Sequence, residues 1–170
     1  IDYLDVVNGG NNFVSVPEII LVGGQGSLFN LEPIIENEVI QSVEVRNAGR
    51  GFTSAPTVQA RVNHTFVALQ SNSTINFPYN AKIPTGTAVT LVETSGQLPQ
   101  PLDTTTTYYA IAATLANGLA NNQIRLATTE ANAINETYIN FTSDAQGDAN
   151  GLTSFTLSST DLGDSITAYM

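Results

Sequence analysis

An all-β fold, arranged as two small modules of short antiparallel strands with one short helix, is what this sequence predicts, and three observations carry the prediction. Only 12% of the 170 residues are charged while 42% are apolar, and Thr, Asn, Ser, Gly and Ala are abundant. That is the profile of many short strands joined by polar turns. Runs rich in β-branched and aromatic residues recur at intervals set by Gly, Pro and Asn, residues that break or turn a chain. The chain also repeats itself: laying Ile1 on Ile40 puts Val6 on Val45, Asn8 on Asn47, Gly10 on Gly49, Phe13 on Phe52, Ser15 on Ser54, Pro17 on Pro56 and Ile19 on Val58. Each copy of such a repeat is one supersecondary unit that needs its neighbour to bury its apolar face.

In the second copy, Ile40, Val43 and Val45 have a strand-like rhythm, and Asn47-Ala48-Gly49-Arg50-Gly51 supplies residues that tolerate positive φ and so turns the chain. Phe52 folds back as an apolar plug, and Ser54-Ala55-Pro56 leads into a further strand over residues 57–62. Between the copies Gly23-Gly24-Gln25-Gly26 breaks the chain, residues 28–35 are extended around Pro33, and Glu36-Asn37-Glu38 makes a hairpin turn into the strand at 39–45. Residues 1–68 thus form a two-copy, prism-like β-repeat module, and the polar residues 69–76 read as a linker.

Residues 77–157 follow as a small β-barrel or sandwich. Its strands are expected at 88–92, 108–112, 123–127, 138–142 and 152–157, with 108–112 central because of its aromatic and β-branched content. Residues 95–102 form a proline-bearing loop, residues 143–151 a turn, and Thr128 or Thr129 caps a short helix from Glu130 to Asn135. Residues 158–170 are a polar C-terminal extension, either a connection to a further domain or a segment ordered by a partner. The chain opens at Ile1, inside a repeat copy, as a fragment or a processed product would.

The formal net charge of −10, with Arg46, Arg50, Arg61, Lys82 and Arg125 as the basic residues, argues against nucleic acid or an anionic membrane as a partner. There is no cysteine, hence no disulfide framework and no thiolate metal site. No apolar run approaches the roughly 20 residues a membrane-spanning helix needs. Gly23–Gly26 lacks the Gly-Lys-Ser/Thr of a phosphate loop. His64, the sole histidine, excludes a histidine metal cluster and is expected at a strand end on the surface. Glu36 and Glu38 lie on a turn and face solvent, and without tryptophan to line a sugar subsite they do not make a glycosidase, so no catalytic residue is assigned. Asp144, Asp148 and Asn150 alternate as in a calcium loop but lack its closing Glu, and read as a β-turn with no metal. The Asn63, Asn72, Asn135 and Asn140 acceptor triplets are what an Asn/Thr-rich chain produces by chance. Nothing calls for a cofactor.

Tyr3, Tyr79, Tyr108, Tyr109, Tyr138 and Tyr169 offer apolar area with a hydroxyl, the chemistry of contact surfaces. Adjacent Tyr108 and Tyr109 face opposite sides of a strand, one toward the core and the other toward an interface. The candidate interface residues are Tyr108, Tyr109, Phe52 and Phe13.

The pattern Ile40-x-x-Val43-x-Val45-x-Asn47-x-Gly49-x-Gly51-Phe52-x-Ser54-x-Pro56-x-Val58 resembles the VTNGGSGYTSAPTV-type repeats of tail, fibre and baseplate-associated proteins of tailed bacteriophages. Phe52 stands where those repeats carry Tyr, and Asn11-Asn12 replaces glycine in the first copy. Downstream, Gly96-Gln97-Leu98-Pro99-Gln100-Pro101-Leu102, Thr106-Thr107-Tyr108-Tyr109 and the run from Ile124 to Ala133 are similar to a second recurrent module of phage virions. The resemblance covers most of residues 1–157. It implies a non-enzymatic structural component of the extracellular virion, in the tail, fibre or baseplate, where trimers and hexamers are common. Other virion proteins and copies of itself would be its partners. A capsid decoration protein and a carbohydrate-binding adhesin domain that contacts a host surface glycan are the alternatives.

Overall fold

The repeat organises the first of two units, Ile1–Val62 with Thr160–Met170; the second is Asn63–Ser159. The computed structural model describes residues 1–145, 155–159 and 164–169. In chain order the strands are β1 (Tyr3–Gly9), β2 (Glu18–Val22), β3 (Ser27–Glu36), β4 (Val39–Arg50), β5 (Thr57–Leu69) and β6 (Thr74–Asn76). There follow β7 (Ala88–Val92), β8 (Thr107–Ala112), β9 (Gln123–Ala127), helix α1 (Glu130–Ile134), β10 (Phe155–Ser159) and β11 (Asp164–Tyr169). The fold is all-β.

In the first unit the two repeat copies pair with each other. Antiparallel β2 and β5 set Ile19 opposite Ala60, Ile20 opposite Gln59 and Leu21 opposite Val58. The repeat offset carries Ile20 onto Gln59, so that pair maps onto itself, and it exchanges Ile19–Ala60 with Val58–Leu21. This is a local two-fold relation, the isologous contact of a symmetric dimer built within one chain. The same relation links β1 and β4. The Ile1 amino group donates to the Ala48 carbonyl at 3.1 Å, and the equivalent meeting on the other side is Gly9 against the Ile40 carbonyl.

The local geometry repeats as well. Asn8 and Asn47 each accept, through Oδ1, from the backbone N–H two residues on, at 3.0 and 2.9 Å. Gly10 and Gly49 then take φ of 63° and 69°. Asn12 adopts φ 64° where its mate Gly51 has 79°, so asparagine, which tolerates the left-handed region, fills the place of the missing glycine. Phe13, Ile19, Ile40, Val43, Val58, Ala60, Val62, Ile166 and Ala168 form the core of this unit.

Gly9 is required by space: a Cβ there would overlap the backbone carbonyl of Ile40 and the Val39 side chain. Its repeat mate is Ala48, so the constraint belongs to this copy alone. Gly9→Ala is expected to lower unfolding free energy by about 1–3 kcal/mol, seen as a reduced urea midpoint at unchanged slope; an unshifted midpoint would refute the close approach.

β5 runs unbroken through the boundary, giving Thr57–Val62 to the first unit and Asn63–Leu69 to the second. In the second unit the pairings β5-β10-β7-β8-β9-β6 close on themselves through β6–β5, a six-stranded barrel that leaves no unpaired edge around its ring. Phe66, Ala68, Ile75, Phe77, Val89, Leu91, Tyr108, Ala110, Ile124 and Leu126 fill its interior, joined by Leu98, Leu102 and Phe141 from the connections. The short helix α1 packs outside β8 and β9, where Ala133 meets Ile111 and Ala127 with Tyr109 beside them. The Thr129 hydroxyl accepts from the Asn132 N–H at 3.1 Å, the cap expected there.

Five sequence expectations are corrected. Residues 69–76 are no linker: they hold a 3-10 turn and β6, which pairs with both β5 and β9, and Ser73, Thr74 and Ile75 are buried. The division falls at Val62, within β5, because that strand supplies both cores. The turn expected at 47–51 is absorbed into β4, where Gly49 bends the strand without ending it. Residues 138–142 make no ladder; single bonds tie them down, Ile139 N–H to the Leu126 carbonyl at 2.8 Å and Phe141 N–H to Ser73 Oγ at 2.9 Å. The C-terminal extension is also wrong, since Ser159 ends β10 and β11 pairs with β1 over Asp164–Tyr169. The last barrel strand starts at Phe155; the rest of the strand expected at 152–157 lies outside the described residues.

Candidate interaction surface

Two of the four candidate interface residues are interior. Phe13 is 2% exposed and Tyr108 3%; the Tyr108 hydroxyl is satisfied by the Asp103 N–H at 2.9 Å. Both are therefore corrected from contact residues to core. Asp103 holds this corner: its carboxylate accepts from the backbone N–H and hydroxyl of both Thr105 and Thr106. Those bonds, to Thr106 first, pull its pKa down to about 2. Tyr109 is half-buried beneath α1. Phe52 is half-buried too, tilted on Phe29 at 6.3 Å, and it lies so close to Gly26 that a Cβ there would strike its ring.

His64 is buried, not a surface residue. It is 1% exposed, its Nδ1 lies 2.9 Å from the Tyr79 hydroxyl, and the Phe77 and Tyr79 rings meet it edge-on at 5.6 and 5.8 Å. Burial lowers its pKa to about 4. An open cleft of about 380 Å³ close by is lined by Thr65, Phe66, Val67, Asn76, Phe77 and Pro78. Thr65 and Asn76 are its polar residues, and no carboxylate lines it. Asp144 accepts from the Gln70 N–H at 2.6 Å, while Asp148 and Asn150 lie outside the described residues. Among the described residues no group of three or more metal-ligating side chains comes together.

What the fold does assemble is a pair of ribbons that share one geometry and differ in surface. β3 pairs with β4, and β11 pairs with β1. Shifted by the repeat offset, Tyr3–Tyr169 corresponds to Ser42–Ile34, Val6–Ile166 to Val45–Leu31 and Asn8–Ser165 to Asn47–Asn30. Each ribbon has a bulge at the same repeat position, Val7 in one and Arg46 in the other. A bulge twists a strand and re-aims its side chains. On the β3/β4 ribbon Arg46 reaches Glu32 and Glu44, each at 2.7 Å, and Ile34, 42% exposed, stands at the place that corresponds to Tyr169. On the β1/β11 ribbon the place of Arg46 is taken by Val7, 68% exposed, while Asp5 keeps the acidic place of Glu44; at the other end of the ladder Tyr3 and Tyr169, 54% and 40% exposed, stack at 4.6 Å and 9°. Stacked tyrosines on an open strand face are contact chemistry.

The sequence patterning names Tyr3 and Tyr169 only among six tyrosines and does not bring them together. The one available signal is the alternation of residues 165–169, with Ile and Ala between polar residues and Tyr.

Comparisons with protein-family models, with curated proteins and with solved structures give no match for this chain.

Proposed function

We propose that this chain is a non-enzymatic structural module that assembles through the β1/β11 ribbon into a particle made of repeated copies, the virion of a tailed bacteriophage. The observation that carries assembly is the exposed Tyr3–Tyr169 stack with Val7, on the one of two equivalent ribbons that lacks the Glu32–Arg46–Glu44 ion pairs. A strand face that carries a stacked tyrosine pair and no cation, where its twin closes Arg46 on two glutamates, fits a covered surface, since exposed ribbons are otherwise blunted by charge networks. The virion reading rests on the repeat motif, and it favours the tail, fibre or baseplate over a decoration role on the head. A carbohydrate-binding role is the second reading, favoured by the same exposed aromatic pair, which offers a sugar an apolar platform.

Light scattering on the purified chain tests the proposal. A defined trimer or hexamer is expected, and the double substitution Tyr3→Ser with Tyr169→Ser is expected to return it to a monomer with an unchanged circular dichroism spectrum. A monomer at all concentrations would refute self-assembly. Retention by a glycan array, abolished by the same double substitution, would move the surface to the sugar reading.

A further inference from the structure

We infer that β11 is an exchangeable strand, and that in the assembled state the slot beside β1 is filled by β11 of a second copy of this chain. This deepens the assembly reading above and rests on it. In the second repeat copy the equivalent slot is filled by β3, tied to β4 through the two-residue Asn37-Glu38 turn, whose φ values of 50° and 62° make it a tight hairpin. In the first copy it is filled by a strand from the far end of the chain. Only residues 160–163 separate β11 from β10 in the other unit.

The slot is a built strand-acceptor. It pairs β11 over six residues of β1, and it takes Ile166 and Ala168 into the core, 7% and 4% exposed, while Tyr169 stacks on Tyr3. On its other side β11 meets β5 at Thr167–Thr57. The first unit's core is thus incomplete without β11, which is held by the β1 ladder and by its two core side chains. A second copy offers the same ladder, the same two apolar side chains and the same ring. Exchange therefore keeps the contacts made by the described residues of β11 and is opposed mainly by the effective concentration of the chain's own strand, of millimolar order for a short link.

The chain has no cysteine, which makes a crosslinking test clean. Asp5 and Thr167 are exposed and directly opposite in the ladder, a spacing that a disulfide spans. Chains carrying Asp5→Cys alone and Thr167→Cys alone are mixed at high concentration and oxidised slowly. If β11 exchanges, covalent heterodimer forms in at least roughly tenfold excess over a control mixing Asp5→Cys with Val7→Cys, Val7 being exposed on the same ribbon but not opposite Asp5 in the ladder, so that docking of unexchanged copies through that ribbon does not favour the test pair. Added salt raises the yield, because copies of net charge −10 repel one another. Heterodimer no higher than the control, in chains that light scattering finds oligomeric, overturns strand exchange and leaves assembly standing. No excess with a monomeric mass overturns both.

Discussion

Truncating Phe66 to alanine is expected to lower unfolding free energy by about 3–5 kcal/mol, the range for removing a fully buried aromatic ring. Phe66 is 1% exposed and sits midway along the barrel half of β5, in one cluster with Ile75, Phe77, Leu91 and Leu126. Two features put the effect at the large end of single substitutions. The ring of strands is closed by hydrogen bonds around its whole circumference, so the walls cannot move in to fill the gap. Phe66 also borders the open cleft lined by Thr65, Val67, Asn76, Phe77 and Pro78, so fewer packed atoms stand on that side to refill the space. The check is the urea or guanidinium midpoint at constant slope. A loss below about 1.5 kcal/mol would mean that the barrel collapses around the site as only forgiving cores do.

That barrel is legible in the sequence where strands are long enough to show a rhythm. Residues 88–92, 108–112 and 123–127 alternate or cluster β-branched and aromatic residues, and they are β7, most of β8, and β9. β6 is not legible, because three residues cannot display a period. Its burial comes instead from polar groups that find partners, Thr74 Oγ1 donating to Asn72 Oδ1 at 2.6 Å and Asn76 reaching the Val67 and Thr74 carbonyls. In Asn72 to Asn76 composition says loop, and satisfied hydrogen bonds say core. The reverse happens at 138–142, where alternation is present but no neighbouring strand has a free edge to receive it.

The repeat itself is plain from the Ile1–Ile40 offset, and so is the left-handed turn chemistry at Asn8, Gly10, Asn47 and Gly49. What the offset does not disclose is that the copies face each other across a two-fold axis, because similarity along the chain carries no information about pairing between copies. The surface then follows from that hidden symmetry. Val7 and Arg46 look unrelated as residues, and only their common bulge exposes the contrast between a ribbon with a Glu–Arg–Glu cluster and one without it.

Lowering the pH from 7 to 4 is expected to remove about 3 kcal/mol of stability through His64 alone, taking 1.36 kcal/mol for each unit between its ordinary pKa of 6.5 and the folded value of about 4. The sign follows from which state binds the proton. Above pH 6.5 neither the folded nor the unfolded imidazole is charged, and the full stability is present. Between 6.5 and 4 the unfolded chain takes up the proton that the folded barrel refuses, so stability falls steadily. Below 4 both states are charged and this contribution stays lost. Burial against Phe77 and Tyr79 is the cause; the Tyr79 hydroxyl at 2.9 Å can bond to the ring without supplying a charge to balance it. Asp103 acts in a separate window, its contribution lost only as pH falls from about 3.8 to about 2, so the two do not overlap. Because His64 is the single histidine, its Cε1 proton gives one resonance whose shift against pH reports the folded pKa directly, and His64→Leu is expected to flatten the stability profile between 6.5 and 4. A native-state titration near 6.5 would place the ring in water and refute the burial from which the whole effect is derived.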